Sequence, residues 1–288
     1  MIRLVALDMD GTLLTSRGEV SPAVRAAVQQ AADGGIHVTV ATGRRLHAAR
    51  AVAELLGFGL PLILHGGAVV QESATGQVVY EDAMSPATVR DAVRLLQARG
   101  HAPMLYESPA HGGRLLVGPP GGENAATGGY LESREGIDTV VRLAPDVLPA
   151  EHVLSIMVLG DETPMRHLYD ELAVAFGGRV SLLFERPVTA TSSVRSYGVE
   201  LFNSGTGKGK ALAHLADALG VTLAETMAVG DFDNDLSMLD AVRNAGGVAV
   251  AMANAVPLIK GAAPYHVASN DADGVAEAFA RFVFGGER

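Results

Sequence analysis

The chain has 288 residues, 48% of them apolar, no cysteine and a formal charge of −10, a size that suggests about two globular domains. No apolar run reaches the ~18 residues of a membrane span, the lack of cysteine excludes disulfides, thiolate metal sites and cysteine nucleophiles, and an acidic chain without a basic run argues against a nucleic-acid surface. The opening residues lack the pattern of a secretory signal, so a cytoplasmic protein free of membranes is expected, and nothing in the sequence implies an obligate protein partner.

In chain order, Leu4 to Leu7 reads as a buried strand that runs straight into Asp8-Met9-Asp10-Gly11-Thr12. Ser21 and Pro22 read as N-cap and first helical residue, Val24, Ala27, Val28 and Ala31 space an apolar helical face, and Gly34-Gly35 stops it. Strand Ile36 to Ala41 follows, then Thr42-Gly43-Arg44, a helix ending at Gly57, and the strand PLILH. Strands alternating with helices through short loops predict a parallel, doubly wound, Rossmann-like α/β sheet. From Val69 two short strands flank Ala74-Thr75-Gly76 as a hairpin. A helix from Pro86 to about Arg99 opens a different block, with strands near 104–106, 114–117, 154–159, 180–184 and 197–202 and helices near 125–134 and 164–176. From Lys208 the α/β rhythm returns, including the strands TMAVG, GVAVA and YHVA. The organisation predicted is an α/β catalytic core of residues 1–82 and 204–288, interrupted by an inserted α+β domain of residues 83–203.

Ligands of open α/β sheets bind beyond the carboxyl ends of the strands, a rule that gathers Asp8-Met9-Asp10, Thr42-Gly43-Arg44, Lys208 and GDFDND (Gly230–Asp235) into one crevice. Two of these carboxylates about 4 Å apart repel by about 4 kcal/mol at an effective dielectric near 20, so convergence implies a cation. All-oxygen donors suit a hard ion such as Mg²⁺, which binds one or two carboxylates and a substrate phosphate. Thr42 and the Gly43 amide sit where a helix begins and suit an anion. Lys208, one of only three lysines with Lys210 and Lys260, reads as a point charge able to meet both a phosphate and a carboxylate. The loop NSGTGKGKAL is not a P-loop, because Phe202 or Ser204 stands where the first glycine is required and no Ser or Thr follows either lysine.

DMDGT (Asp8–Thr12), ATGR (Ala41–Arg44), Lys208 and GDFDND together resemble the four ordered motifs of the haloacid dehalogenase superfamily of phosphohydrolases, across the whole chain. The insertion between motifs two and three and the late VAVAMANA (Val248–Ala255) resemble its Cof-type branch, with a large α+β cap that governs substrate specificity. The resemblance implies that Asp8 is the nucleophile forming an aspartyl-phosphate and Asp10 the general acid and base. It implies Asp8, the Asp10 carbonyl and Asp231 as Mg²⁺ ligands with Asp235 in the outer shell, and Met9, Thr42, Gly43, Lys208 and Asn234 as phosphate contacts. His65-Gly66-Gly67-Ala68 departs from the Asn-Gly-Ala usual in that branch, so His65 reads equally as site edge or structural residue.

The expected function is hydrolysis of small phosphorylated metabolites, sugar phosphates favoured. A phosphosugar mutase and a non-catalytic module binding Mg²⁺ and a phosphometabolite are the alternatives. Among the charged residues of the insertion, Glu107, His111, Arg114, Glu185 and Arg186 are those that could project toward the crevice, although solvated faces are the ordinary fate of such groups.

Overall fold

The computed structural model describes residues 1–57, 59, 61–119, 121–144, 151–188 and 196–285, apart from the side chains of residues 186–188. They fall into two compact units, Met1–Tyr80 with Gly207–Arg288, and Glu81–Thr206.

The first unit begins with strand β1 (Leu4–Leu7), helix α1 (Pro22–Asp33), β2 (His37–Val40), α2 (Leu46–Leu56) and β3 (Pro61–Leu64), followed by β4 (Val69–Glu72) and β5 (Val78–Glu81). Ser21 caps α1 as expected, its Oγ accepting from the Val24 amide at 3.2 Å ahead of Pro22. The second unit holds α3 (Pro86–Ala98), β6 (Met104–Glu107), β7 (Leu115–Val117), α4 (Ala125–Ser133), β8 (Val140–Arg142), β9 (Val153–Gly160), α5 (Glu162–Phe176), β10 (Val180–Val188) and β11 (Ser196–Asn203). The first unit resumes with α6 (Lys208–Ala218), β12 (Thr226–Gly230), α7 (Leu236–Asn244), β13 (Val248–Met252), α8 (Pro257–Ala262), β14 (Tyr265–Val267) and α9 (Gly274–Ala278), which continues as a π-helical turn to Phe284.

The main sheet runs β14-β13-β12-β1-β2, every pair parallel. β1, β12 and β13 are buried at every position, which is why they read as unbroken apolar runs: helices cover both faces of a parallel sheet. α1 packs with α9, and α6 packs with α7. Strand order reverses between β1 and β12, because the chain goes outward from β1 to β2 and later from β12 to β14. Asp8 and Asp231 follow these two adjacent strands, in register through Leu7 and Val229.

β3 is only partly a member of that sheet. It touches it through a parallel bridge between Ala41 and Ile63 and otherwise pairs antiparallel with β4, across the turn at His65–Ala68, in a sheet ordered β3-β4-β5.

In the second unit a six-stranded sheet, β10-β11-β9-β6-β7-β8, is antiparallel except between β7 and β8. Side chains alternate as a pleat requires: Leu105, Ile156, Val158 and Val199 join a core with α3 and α5, while Met104, Tyr106, Met157 and Leu159 join one with Leu131 of α4. β8 is not among the predicted strands, because three residues carry too little periodicity to read.

Gly67, with φ +102°, shows how tightly the first unit is built around α6: a Cβ there would lie 2.3 Å from the Gly207 carbonyl carbon and 2.7 Å from the Lys208 amide nitrogen. Gly67→Ala is expected to cost about 2–4 kcal/mol in urea unfolding, from positive φ and overpacking together. Gly261→Ala in α8, where nothing lies within 4 Å, should instead raise stability, by up to about 1 kcal/mol, through helix propensity alone.

Candidate active site

The site is built from the C-terminal ends of β1, β2 and β12 and the first turn of α6. Lys208 is the first residue of α6 and 0% exposed. Its Nζ donates to Asp8 Oδ1 and to Asp235 Oδ1, both at 2.6 Å. Burial by itself would lower the Lys208 pKa, but the charges of Asp235 and Asp8 and their hydrogen bonds outweigh it and hold the ammonium above the ordinary lysine range.

Each carboxylate in turn has a fixed place. Asp235 Oδ2 accepts from the amides of Asp231 and Phe232 at 2.9 and 3.0 Å, so both its oxygens are committed. Asp231 Oδ1 accepts from the buried Thr12 hydroxyl at 2.8 Å. Gly11, with φ +84°, passes so close that a Cβ there would lie 2.4 Å from Asp231 Oδ2. Asp8, Asp231 and Asp235 each offer a carboxylate oxygen, and these lie within 4.8 Å of one another. Burial, then the neighbouring charge of Asp235, pushes the Asp8 carboxyl well above the usual range. Asp231 is pushed up to about 6, by burial first and opposed by the Thr12 hydrogen bond. Three buried carboxyls lie around one ammonium, and burial first, then the mutual repulsion of the carboxylates, raises Asp8 and Asp231.

Asp10 differs from the rest. Its side chain is 58% exposed, and Arg44 grips it with Nε at 2.8 Å and an Nη at 2.5 Å, a two-toothed guanidinium–carboxylate pair. Thr42 is buried, and its Oγ1 accepts from the Arg44 amide at 3.1 Å. Gly43 has open space where a Cβ would point. Met9 is fully buried behind the strand end. Asn234 stands beside Asp235, and its Oδ1 is buried with no hydrogen-bond partner among the described residues.

The late VAVAMANA segment ties into the same loops: Asn254 Nδ2 donates to the Gly11 carbonyl at 2.7 Å, and the Val256 amide donates to the Asp231 carbonyl at 3.0 Å. Arg44 and Thr12 are the residues that sequence reasoning quoted within motifs without giving them work. An acidic strand end without a lysine nearby in sequence needs cationic and hydroxyl partners, and that need was the available signal.

A family model described as haloacid dehalogenase-like hydrolase matches residues 5–279. The chain belongs to that family. It is an enzyme of the phosphoric monoester hydrolase class, with the Cof-type motifs. It is 31% identical to the HMP-PP phosphatase of Citrobacter koseri over 92% of this chain and 89% of that one. It is 26% identical to the pyridoxal phosphate phosphatase YbhA of Escherichia coli over 96% of both. Its fold matches that of the HAD subclass IIB sugar phosphatase BT4131, with a TM-score of 0.76, 20% identity, and coverage of 98% of this chain and 99% of that chain. No helix among the described residues is long and apolar enough to cross a membrane.

His65 is buried, at φ +49°, in a turn whose amides bond back to the motif-two loop, His65 to the Arg44 carbonyl and Gly66 to the Thr42 carbonyl. Burial, then the charges of Arg45 and His47, lowers its pKa to about 3. Of the insertion's charged residues, Glu107 is buried and forked by Arg114 rather than solvated, and the side chain of Arg186 lies outside the described residues.

Because His65 is neutral in the folded chain and titrates near 6.5 when unfolded, the unfolded state binds the extra proton between about pH 6.5 and 3, and stability falls as pH drops through that window. Urea unfolding from pH 7 to 5 should lose up to about 1.4 kcal/mol per pH unit from this residue once below 6.5. His65→Asn should flatten that loss, since Asn tolerates positive φ and does not titrate.

Proposed function

We propose that the chain is a Mg²⁺-dependent phosphatase of small phosphorylated metabolites, sugar phosphates favoured, acting through an aspartyl-phosphate on Asp8. The observation that carries this reading is the buried cluster in which Asp8, Asp231 and Asp235 crowd within 4.8 Å around one lysine. Relatives named as phosphatases of HMP-PP and pyridoxal phosphate, and a fold neighbour named as a sugar phosphatase, support small phosphorylated metabolites as the substrate class.

The donor set fits a hard divalent cation. Asp8, Asp231 and Asp235 converge on one ammonium, three carboxylates to a single positive charge, and no nitrogen or sulfur ligand is among the three. Asp8, Asp231 and the Asp10 carbonyl would hold Mg²⁺, with Asp235 outside because its two oxygens already serve Lys208 and two amides. Bound there, the ion would neutralise charge on the phosphoryl oxygens.

The chain's own groups supply the rest. A carboxylate oxygen of Asp8 attacks phosphorus while the ester P–O bond breaks, and Asp10 delivers a proton to the departing oxygen. Asp10 then removes a proton from a water that attacks the aspartyl-phosphate, which frees inorganic phosphate and restores Asp8. Arg44 occupies both oxygens of Asp10, so this grip has to open before the proton can move. Thr42, the amides of Met9 and Gly43, Lys208 and Asn234 are the phosphate contacts in this reading. The inserted 83–203 segment selects the substrate.

Asp8→Asn should reduce p-nitrophenyl phosphate turnover by at least about 10³-fold with an unchanged circular dichroism spectrum, and retained turnover would refute the nucleophile. Chelation with EDTA should abolish phosphate release and millimolar Mg²⁺ should restore it; release of free phosphate from sugar monophosphates, rather than isomerisation, separates hydrolysis from mutase chemistry.

A further inference from the structure

The Glu81–Thr206 unit contains a second converging set of metal-ligating groups that the phosphatase reading leaves unused. Glu81, His111 and His152 each offer one ligand atom, and these atoms lie within 4.8 Å of one another. The Glu81 carboxylate is 4.0 Å from His111 Nε2. The two imidazoles lie face to face, with centroids 3.4 Å apart and planes within 13°. The three residues come from distant points of the chain, the end of β5, the turn after β6 and the approach to β9, so sequence periodicity does not account for the meeting.

A single buried residue holds all three in place. The Ser108 side chain is fully buried, and its hydroxyl donates to Glu81 Oε2. The Ser108 amide donates to the His152 carbonyl at 2.8 Å, and its carbonyl accepts from the His111 amide at 2.9 Å. The hydroxyl also accepts from the Ala110 amide at 3.2 Å, which shapes the short turn carrying His111. A hydrogen bond that orients a carboxylate is the outer support metal-ligating side chains ordinarily have. His152 itself sits at φ +58°, a left-handed backbone that is uncommon for a residue with a Cβ and clusters at functional positions.

We propose that Glu81, His111 and His152 form a binding site for a transition-metal dication of the zinc class. Two imidazole nitrogens and one carboxylate oxygen make a borderline-soft donor set that suits Zn²⁺ and its neighbours and leaves a fourth position for water. Mg²⁺, which takes oxygen ligands, is a poor match here and a good one at the Asp8 cluster. The lone pairs of stacked rings point side by side rather than at one ion, so binding turns at least one imidazole out of the stack. Both histidines are exposed and have room to turn.

The test is calorimetric titration of the chelator-treated, full-length protein with ZnCl₂ in millimolar Mg²⁺, which keeps the oxygen-only cluster supplied with its own ion. One equivalent should bind with a dissociation constant on the order of micromolar or tighter, and Zn²⁺ should raise the melting temperature of the parent protein. His111→Ala, on an exposed turn, should weaken binding at least about tenfold. His152→Gly removes the imidazole at a backbone conformation glycine prefers, so it should fold normally and lose the zinc-dependent rise in melting temperature. Binding of the same stoichiometry and affinity in both variants, or no micromolar binding by the parent, overturns the proposal.

Discussion

The ammonium of Lys208, wholly buried and shared between Asp8 and Asp235, is the contact on which the rest of the catalytic unit depends. A buried charge without partners is very costly, and a buried carboxylate is no cheaper. Each of these groups is therefore tolerable only while the others stay in position. That mutual requirement ties α6 to β1 and to the loop after β12, and it explains why the surrounding backbone approaches so closely that Gly67 and Gly11 have no space for a side chain.

The same cluster is under-neutralised. One lysine faces three carboxyls, and burial together with their mutual repulsion raises Asp8 and Asp231 above the usual carboxylate range. A divalent cation and a phosphoryl dianion would bring two positive and two negative charges to the site. Asp231 keeps one oxygen not held by Thr12, whereas both oxygens of Asp235 are taken by Lys208 and two amides. Hydroxyls, amides and glycines at strand ends do the positioning, as a sheet whose strand order reverses at its centre allows.

Much of this was legible before any coordinates. Continuous apolar runs named β1, β12 and β13 because burial on both faces leaves no alternation, and the acidic and glycine-rich segments directly after them stood out for the opposite reason. Ser21-Pro22 announced α1 through capping chemistry. What stayed hidden depended on partners far along the chain. β3 reads as another parallel strand and does meet the residue after β2 through a parallel bridge, but its fuller pairing is with β4 in a second sheet. Arg44 looked like the tail of a motif until its grip on Asp10 appeared. The Glu81, His111 and His152 cluster carries no spacing at all, since a turn, a strand end and a left-handed residue bring it together.

The separation of partners along the chain has a consequence for synthesis. Lys208 meets Asp8 across 200 residues, and Thr12 meets Asp231 across 219. At ribosomal speeds of roughly 5–20 residues per second, the nascent N-terminal strand waits roughly 10–40 s before the segment that completes its neighbourhood has even been made. During that interval its aspartates have no lysine, and its edge has no neighbour on the β12 side. The inserted unit, encoded in between, finishes translation first, so the catalytic unit is the last part of the molecule able to close.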